Sequence, residues 1–217
     1  MNTLVTVDTP QGPGHWLMSP TVRTPRAVLL LGHGAGGGID GIDLVACAEL
    51  LPAHGITVAR FDQPWHVAGK KVASRPAALD EAWLAGVRAL REQVDLGEGV
   101  PLVLGGHSAG ARVACRTATE LGADQVLCLS FPLHPPGEPS KSRVDELLLP
   151  TVPVHVIQGA RDPFGTPEEV RAAAGQSITV TEVDAAAHDL KVAARVRSAA
   201  EHRQLLADLV LEVLALG

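Results

Sequence analysis

The 217-residue chain lacks most of the features that set special protein classes apart. No apolar run approaches the ~20 residues a membrane helix needs, so no membrane span is expected. Basic runs are absent and the formal net charge is -6, which argues against nucleic acid as the main partner. The opening Met1-Asn2-Thr3-Leu4-Val5-Thr6-Val7-Asp8 has neither a basic start nor an apolar h-region. No secretory signal is therefore expected, and the cytoplasm is the expected compartment. The three cysteines, Cys47, Cys115 and Cys128, lie in apolar segments without Cys-x-x-Cys or Cys/His metal spacing. Buried free thiols in a reducing compartment follow, with no metal site and no cofactor. Nine histidines are many, but they are scattered. No repeat, low-complexity tract or linker divides the chain, so residues 1–217 are read as one domain, long enough to bury a core without disulfides.

What is present is an alternation of strands and helices. Thr3–Val7 alternates, Gln11-Gly12-Pro13-Gly14 reads as a turn, and His15–Met18 follows, the pattern of an antiparallel edge hairpin. Arg26–Leu31 is a continuous apolar run, expected of a strand buried on both faces of a parallel sheet. Further strands are expected at Ile56–Phe61, Val100–Leu104, Gln125–Phe131, Val152–Ile157 and, half exposed, Ile178–Val183. Helices fit Asp43–Ala53 (with Gly55 as a left-handed stop), Ala77–Val94, the segment after Ser108 up to Gly122, Pro167–Ala174 and Ala199–Leu216. Asp62–Pro76 reads as a loop, and Pro132–Pro150 as a breaker-rich connection around a short helical piece at Arg143–Leu149. The pattern predicts an α/β fold: a mostly parallel sheet after an N-terminal hairpin, helices on both faces, and a minimal cap.

The chain's strongest signal is Gly106-His107-Ser108-Ala109-Gly110, placed directly between a strand and a helix. A Gly-x-Ser-x-Gly elbow needs small neighbours because the turn is tight and strand and helix approach closely. A serine hydroxyl is a poor nucleophile until an imidazole takes its proton, and the imidazole needs a carboxylate to fix its tautomer. The elbow order is Ser, Asp or Glu, then His. Asp162 follows one predicted strand and His188 the next, so a parallel sheet brings both to the rim that carries Ser108. Asp184 is the rival acid, but it stands only four residues before His188 and is expected to cap its loop. For an oxyanion hole, the Ala109 N–H follows the nucleophile, and a second donor is expected from Gly32–Gly38, either Ala35 or Gly34.

Plainer roles compete at each position. Ser108 can be a small turn residue and Asp162-Pro163 a turn start. His33 and His107 read as loop-stabilising or pocket-lining, and His134 as pocket mouth or surface filler. Trp65 and His66 fit a pocket wall or a packed loop anchor. Asp40 and Asp43 read as helix caps. The literal Gly32-x-Gly34-x-x-Gly37 after a strand, with Asp62 ending the next, also matches a dinucleotide fingerprint. Against it, Gly38-Ile39-Asp40-Gly41 delays the helix that pyrophosphate binding needs at once.

Taken together, Leu31–Gly37, Gly105–Arg112, Phe131–Gly137, Gln158–Gly165 and His188–Lys191 resemble the α/β-hydrolase superfamily over essentially the whole chain. They are most similar to its small dienelactone-hydrolase-like branch, and within it to the testis-expressed and histone-acetyltransferase-complex-related hydrolases. The serine departs from dienelactone hydrolases proper, which use cysteine. The resemblance implies Ser108 as nucleophile, Asp162 as acid and His188 as base. The expected activity is hydrolysis of an ester or related small acyl substrate through an acyl-enzyme. The alternative is a binding or scaffold protein that keeps the fold without turnover.

Overall fold

The computed structural model describes residues 2–215. Strands β1 (Thr3–Thr9) and β2 (Gly12–Ser19) form a hairpin, followed by β3 (Ala27–Gly32), α1 (Ile42–Leu50), β4 (Ile56–Asp62), α2 (Pro64–Val67) and α3 (Pro76–Gln93). Then come β5 (Leu102–His107), α4 (Ala109–Leu121), β6 (Gln125–Leu129), α5 (Val144–Leu147), β7 (Val154–Gly159), α6 (Pro167–Ala174), β8 (Thr179–Val183) and α7 (Ala199–Ala215). One eight-stranded sheet has the order β1-β2-β4-β3-β5-β6-β7-β8. The hairpin and its junction with β4 are antiparallel, and every other pairing is parallel. This is the α/β-hydrolase fold. Among the described residues, no helix is long and apolar enough to cross a membrane.

The apolar runs explain the layering. Every residue of β3 is buried, and its side chains alternate between two cores. Val28 and Leu30 face α3 and α4 through Trp83, Val87 and Val113; Leu29 and Leu31 face α1 and α7 through Leu44, Leu206 and Val210. The chain winds from β3 through α1 to β4 on one side, then returns through α3 to β5 on the other. That reversal opens a crevice beyond the carboxyl ends of β3 and β5, where ligands of such sheets bind.

Several local expectations are corrected. Gly12-Pro13-Gly14 belongs to β2, and the turn is Pro10-Gln11. Gly14 is glycine because a Cβ there would lie 2.6 Å from the Phe61 ring. The helix expected to run to Ala53 stops at Leu50 and tightens into a 3-10 turn over Leu51–His54. Pro52 has no N–H for an α-helical bond, and Gly55 then closes the segment at φ 84°. The loop after β4 contains the short helix α2, started by Pro64 at its first position. The cap helix α5 is only four residues long. It is held to α4 by Glu146, which takes Arg112 Nη2 at 2.6 Å and Arg116 Nη1 at 2.6 Å. Burial alone would raise the Glu146 carboxyl; the two guanidiniums more than offset it and hold it below the usual range.

The tightest contact in the sheet is backbone against backbone. Gly32 at the end of β3 lies under the start of α4, and a Cβ on Gly106 or Gly110 would collide with the Gly32 carbonyl. By contrast, Gly122 caps α4 at φ 62° with nothing within 4 Å of a Cβ. Gly122→Ala should therefore cost about 1 kcal/mol, the backbone penalty alone. Gly110→Ala should cost more, ~1–3 kcal/mol or beyond, because backbone must move. Urea unfolding of the two variants checks the order.

Candidate active site

The elbow puts Ser108 at φ 52°, ψ -108°, a left-handed conformation that a non-glycine residue holds at a cost of order 1–3 kcal/mol. Its N–H donates to Leu129 O at 2.9 Å and its carbonyl accepts Arg112 N–H at 3.2 Å, so β6 on one side and α4 on the other hold the strained turn. Ser108 Oγ lies 2.8 Å from His188 Nε2, and His188 Nδ1 lies 2.8 Å from Asp162 Oδ2. The three residues that sequence order picked out thus form one continuous hydrogen-bonded chain.

Asp162 is 2% exposed, and a buried carboxylate must be fully bonded. Besides His188, Oδ2 accepts Gln158 Nε2 at 2.9 Å, and Oδ1 accepts the Phe164 N–H at 2.8 Å. Gln158 also donates to Gly165 O at 2.7 Å, fastening the loop after β7. The loops bearing Asp162 and His188 are laced together: Ala160 N–H donates to Val183 O at 3.0 Å and Arg161 N–H to Ala186 O at 2.9 Å. Phe164 stacks on His188, centroids 4.1 Å apart and planes inclined by 32°. His202 on α7 bonds Leu190 O at 2.6 Å, securing the His188 loop from below. Gln158, Phe164 and His202 were not singled out from the sequence. A glutamine next to the end of a buried, mainly apolar strand is the one available signal, for Gln158.

The remaining candidates separate clearly. Gly34, Ala35, His33, Trp65 and Ala109 line one small cavity beside Ser108, together with Gln63 and Val113. Gly34 lies against the elbow, where a Cβ would stand 2.9 Å from His107 Cδ2 and 3.4 Å from Ser108 Cβ. Ala35 is the more exposed of the pair. His33 is buried; its Nδ1 bonds Gly34 O at 2.9 Å and its Nε2 accepts Gln63 N–H at 3.1 Å. His134 does not line this cavity: its Nδ1 bonds Pro135 O at 2.9 Å and its backbone N–H bonds Phe164 O at 3.0 Å. Asp184 is exposed, and among the described residues no side-chain bond shows it capping the loop.

Asp43 requires a correction. It lies inside the first turn of α1, after Gly41 at the cap position, and is 1% exposed. One oxygen accepts Leu44 N–H at 2.9 Å; the other meets His107 Nδ1 at 2.7 Å. Rather than serving as the helix cap, it anchors His107, the residue before Ser108. The dinucleotide reading also fails on geometry. Asp62, the residue that would take a ribose, bonds His66 Nδ1 at 2.6 Å, and the first helix after the glycines begins only at Ile42. Atoms of His33, Asp62 and His66 lie within 4.8 Å of one another. These same atoms are engaged with Gln63 N–H and with each other, so the cluster reads as a hydrogen-bonded strut for α2.

A family model of the alpha/beta hydrolase domain matches residues 25–216, and the chain belongs to that family. Its fold is similar to a lidless α/β serine hydrolase from Xanthomonas campestris, with TM-score 0.71 and 22% identity over 97% of this chain and 94% of that one. Est1E from Butyrivibrio proteoclasticus is similar with TM-score 0.73 and 16% identity over 98% and 99%. That protein has also been solved with ferulic acid bound. An esterase from Pyrococcus furiosus has TM-score 0.69 and 17% identity over 98% and 90%. The likeness at these identities is one of fold.

His107 carries a measurable electrostatic signature. Burial would lower its pKa, but the Asp43 carboxylate, with Asp162 and Asp189 further off, more than offsets this and holds it above the ordinary 6.5. The pair therefore contributes stability fully below the unfolded value, and that contribution fades as pH rises through the folded one. In Asp43→Asn, the ring-proton NMR titration of His107 should move to lower pH, and this component of the pH dependence of stability should vanish.

Proposed function

We propose that the protein is a serine hydrolase that cleaves an ester or related small acyl substrate through an acyl-enzyme on Ser108. The observation that carries this reading is the unbroken Ser108–His188–Asp162 hydrogen-bonded chain, anchored on a strained elbow. His188 Nε2 takes the Ser108 proton as Oγ attacks the acyl carbonyl, while Asp162 keeps the other ring proton on Nδ1 and stabilises the imidazolium. The Ala109 N–H and that of Ala35, with Gly34 as the alternative, receive the developing oxyanion. His188 then gives its proton to the leaving oxygen. Water, deprotonated by the same imidazole, attacks the acyl-enzyme and releases the acid, returning the proton to Ser108.

The chain works as one domain of the dienelactone-hydrolase-like branch, nearest the testis-expressed and histone-acetyltransferase-complex-related hydrolases, on the strength of its motif stretches. With only a four-residue helix between β6 and β7, the site is open, which favours small acyl substrates over deeply enclosed lipids. Ferulic acid in Est1E is a ligand of that kind. Three buried free cysteines suit a reducing, cytoplasmic setting.

A fluorophosphonate probe should label the wild-type protein and fail on folded Ser108→Ala, with ester turnover lost in the same variant. Asp162→Asn should lower kcat by about 10⁴-fold through the wrong imidazole tautomer, and Asp184→Asn should leave it near wild type. A folded wild-type protein that neither labels nor turns over any short ester would refute the hydrolase and leave the scaffold role.

A further inference from the structure

Beside the triad stands a second carboxylate–imidazole pair that the proposed mechanism does not use. Asp43 is buried in the first turn of α1. One of its oxygens takes the Leu44 N–H, and the other meets His107 Nδ1 at 2.7 Å. Among the described residues no lysine or arginine pairs with Asp43, so its counter-charge comes from His107. Burial opposes that charge, but Asp43, with Asp162 and Asp189 further off, more than offsets this and holds the ring protonated past the ordinary 6.5.

With Nδ1 spent on Asp43, only Nε2 is left to meet a ligand. His107 Nε2 has no hydrogen-bond partner among the described residues, yet it is not one of the buried polar atoms left unpartnered. It therefore reaches solvent, and 16% of the side chain is exposed. The opening lies next to the nucleophile. The His107 and His188 ring centroids are 5.4 Å apart. A Cβ built on Gly34 would stand 2.9 Å from His107 Cδ2, 3.7 Å from its Nε2 and 3.4 Å from Ser108 Cβ. One point on the glycine-rich loop thus touches both the nucleophile and the free edge of the His107 ring. In the proposed reaction His188 Nε2 gives its proton to the leaving oxygen, so the alcohol part of the ester lies against the imidazole that His107 flanks.

We infer that His107 Nε2–H receives a carboxylate on the alcohol part of the ester, so that the preferred substrates are short hydroxy acids acylated on their hydroxyl. The inference rests on the hydrolase reading above and adds the substrate class. With Nδ1–H held by Asp43, the protonated ring offers Nε2–H outward, whereas the neutral ring offers a bare lone pair. A charge-assisted bond is about twice as strong as a neutral one, so an anion is preferred over an uncharged acceptor. A cationic alcohol part is disfavoured by the like charge of the ring. The other charged groups facing His107 are already engaged. Asp162 is bonded to His188, and Asp189 takes the Lys191 N–H and the Lys191 ammonium at 3.1 Å each. Neither occupies Nε2. His107 is thus a specificity-determining residue.

The O-acetyl derivatives of glycolic acid and of β-hydroxypropionic acid make the test, each set against its carboxamide counterpart at fixed ionic strength. From pH about 6 to about 9 the carboxylates stay ionised and the amides neutral. The kcat/KM ratio within a pair therefore cancels every titration that affects both esters alike. In at least one pair the wild type should favour the carboxylate at the lower pH, and that preference should fall at least about tenfold at the higher pH. His107→Gln, which can still donate to Asp43 but carries no charge, should make the ratio independent of pH. A wild-type ratio that is the same at both pH values in both pairs overturns the inference while leaving the hydrolase intact. So does a ratio that falls equally in the wild type and in His107→Gln, since another group then carries it. The first arm needs no variant, so it decides even if His107→Gln does not fold. No turnover of any of these esters also overturns the inference, and if fluorophosphonate labelling is absent as well, the hydrolase falls with it.

Discussion

The contact on which the site depends is made by atoms that are not there. Where β3 ends, the Gly32 carbonyl occupies the space that Cβ atoms of Gly106 and Gly110 would need. With no side chains at these positions, α4 starts directly over the sheet, and β5 can deliver Ser108 into a sharp turn at its rim. The same closeness sets the glycine-rich loop after β3 against the elbow, with Gly34 packed on His107 and Ser108. Nucleophile and oxyanion candidates are therefore positioned by close main-chain packing.

A second close approach does the same for Asp162 and His188. Gly159 ends β7, and a Cβ there would stand 2.5 Å from Ala187 O and 2.7 Å from Ala186 O. The loop after β8 can therefore lie on the loop after β7, where backbone bonds join them. Asp162 and His188, 26 residues apart, meet because two adjacent parallel strands end side by side. Gln158 and the Phe164 N–H hold the carboxylate still, and the Phe164 ring holds the imidazole. This supporting layer turns three side chains near one rim into a preorganised set.

How much of this was legible in the sequence follows from the range of each interaction. The elbow, the succession of strands and helices along the chain, and the order Ser108, Asp162, His188 are written in local patterns: an apolar run, a glycine, then a polar residue at the strand end. Parallel topology converts those patterns into proximity without further information. Interactions between distant side chains left no such trace. Asp43 reads as a helix cap because its neighbours are cap-like; its partner His107 lies 64 residues away. Gly14 reads as a turn glycine, although its reason is the Phe61 ring on a neighbouring strand. Gln63 sits among breakers in an apparent loop, and only the folded chain turns it inward.

The surroundings of the histidines set His188 apart from the others. Three aspartates along the carboxyl edge of the sheet are each paired with a histidine: Asp43 with His107, Asp62 with His66, and Asp162 with His188. Each pair answers the same physical need, since a carboxylate withdrawn from water must be bonded. Pairing alone therefore does not make a catalytic dyad. What distinguishes the pairs is what the second ring nitrogen meets. His66 is packed against Gly38, so closely that a Cβ would collide with its ring. His107 turns its Nε2 side toward Gly34, a residue with no side chain to deprotonate. His188 alone of the three presents Nε2 to a hydroxyl, at 2.8 Å, on a residue whose backbone is strained to hold it there. In His66 the same pairing serves packing. In His188 the second ring nitrogen is aimed at the Ser108 hydroxyl, the direction that general-base chemistry requires.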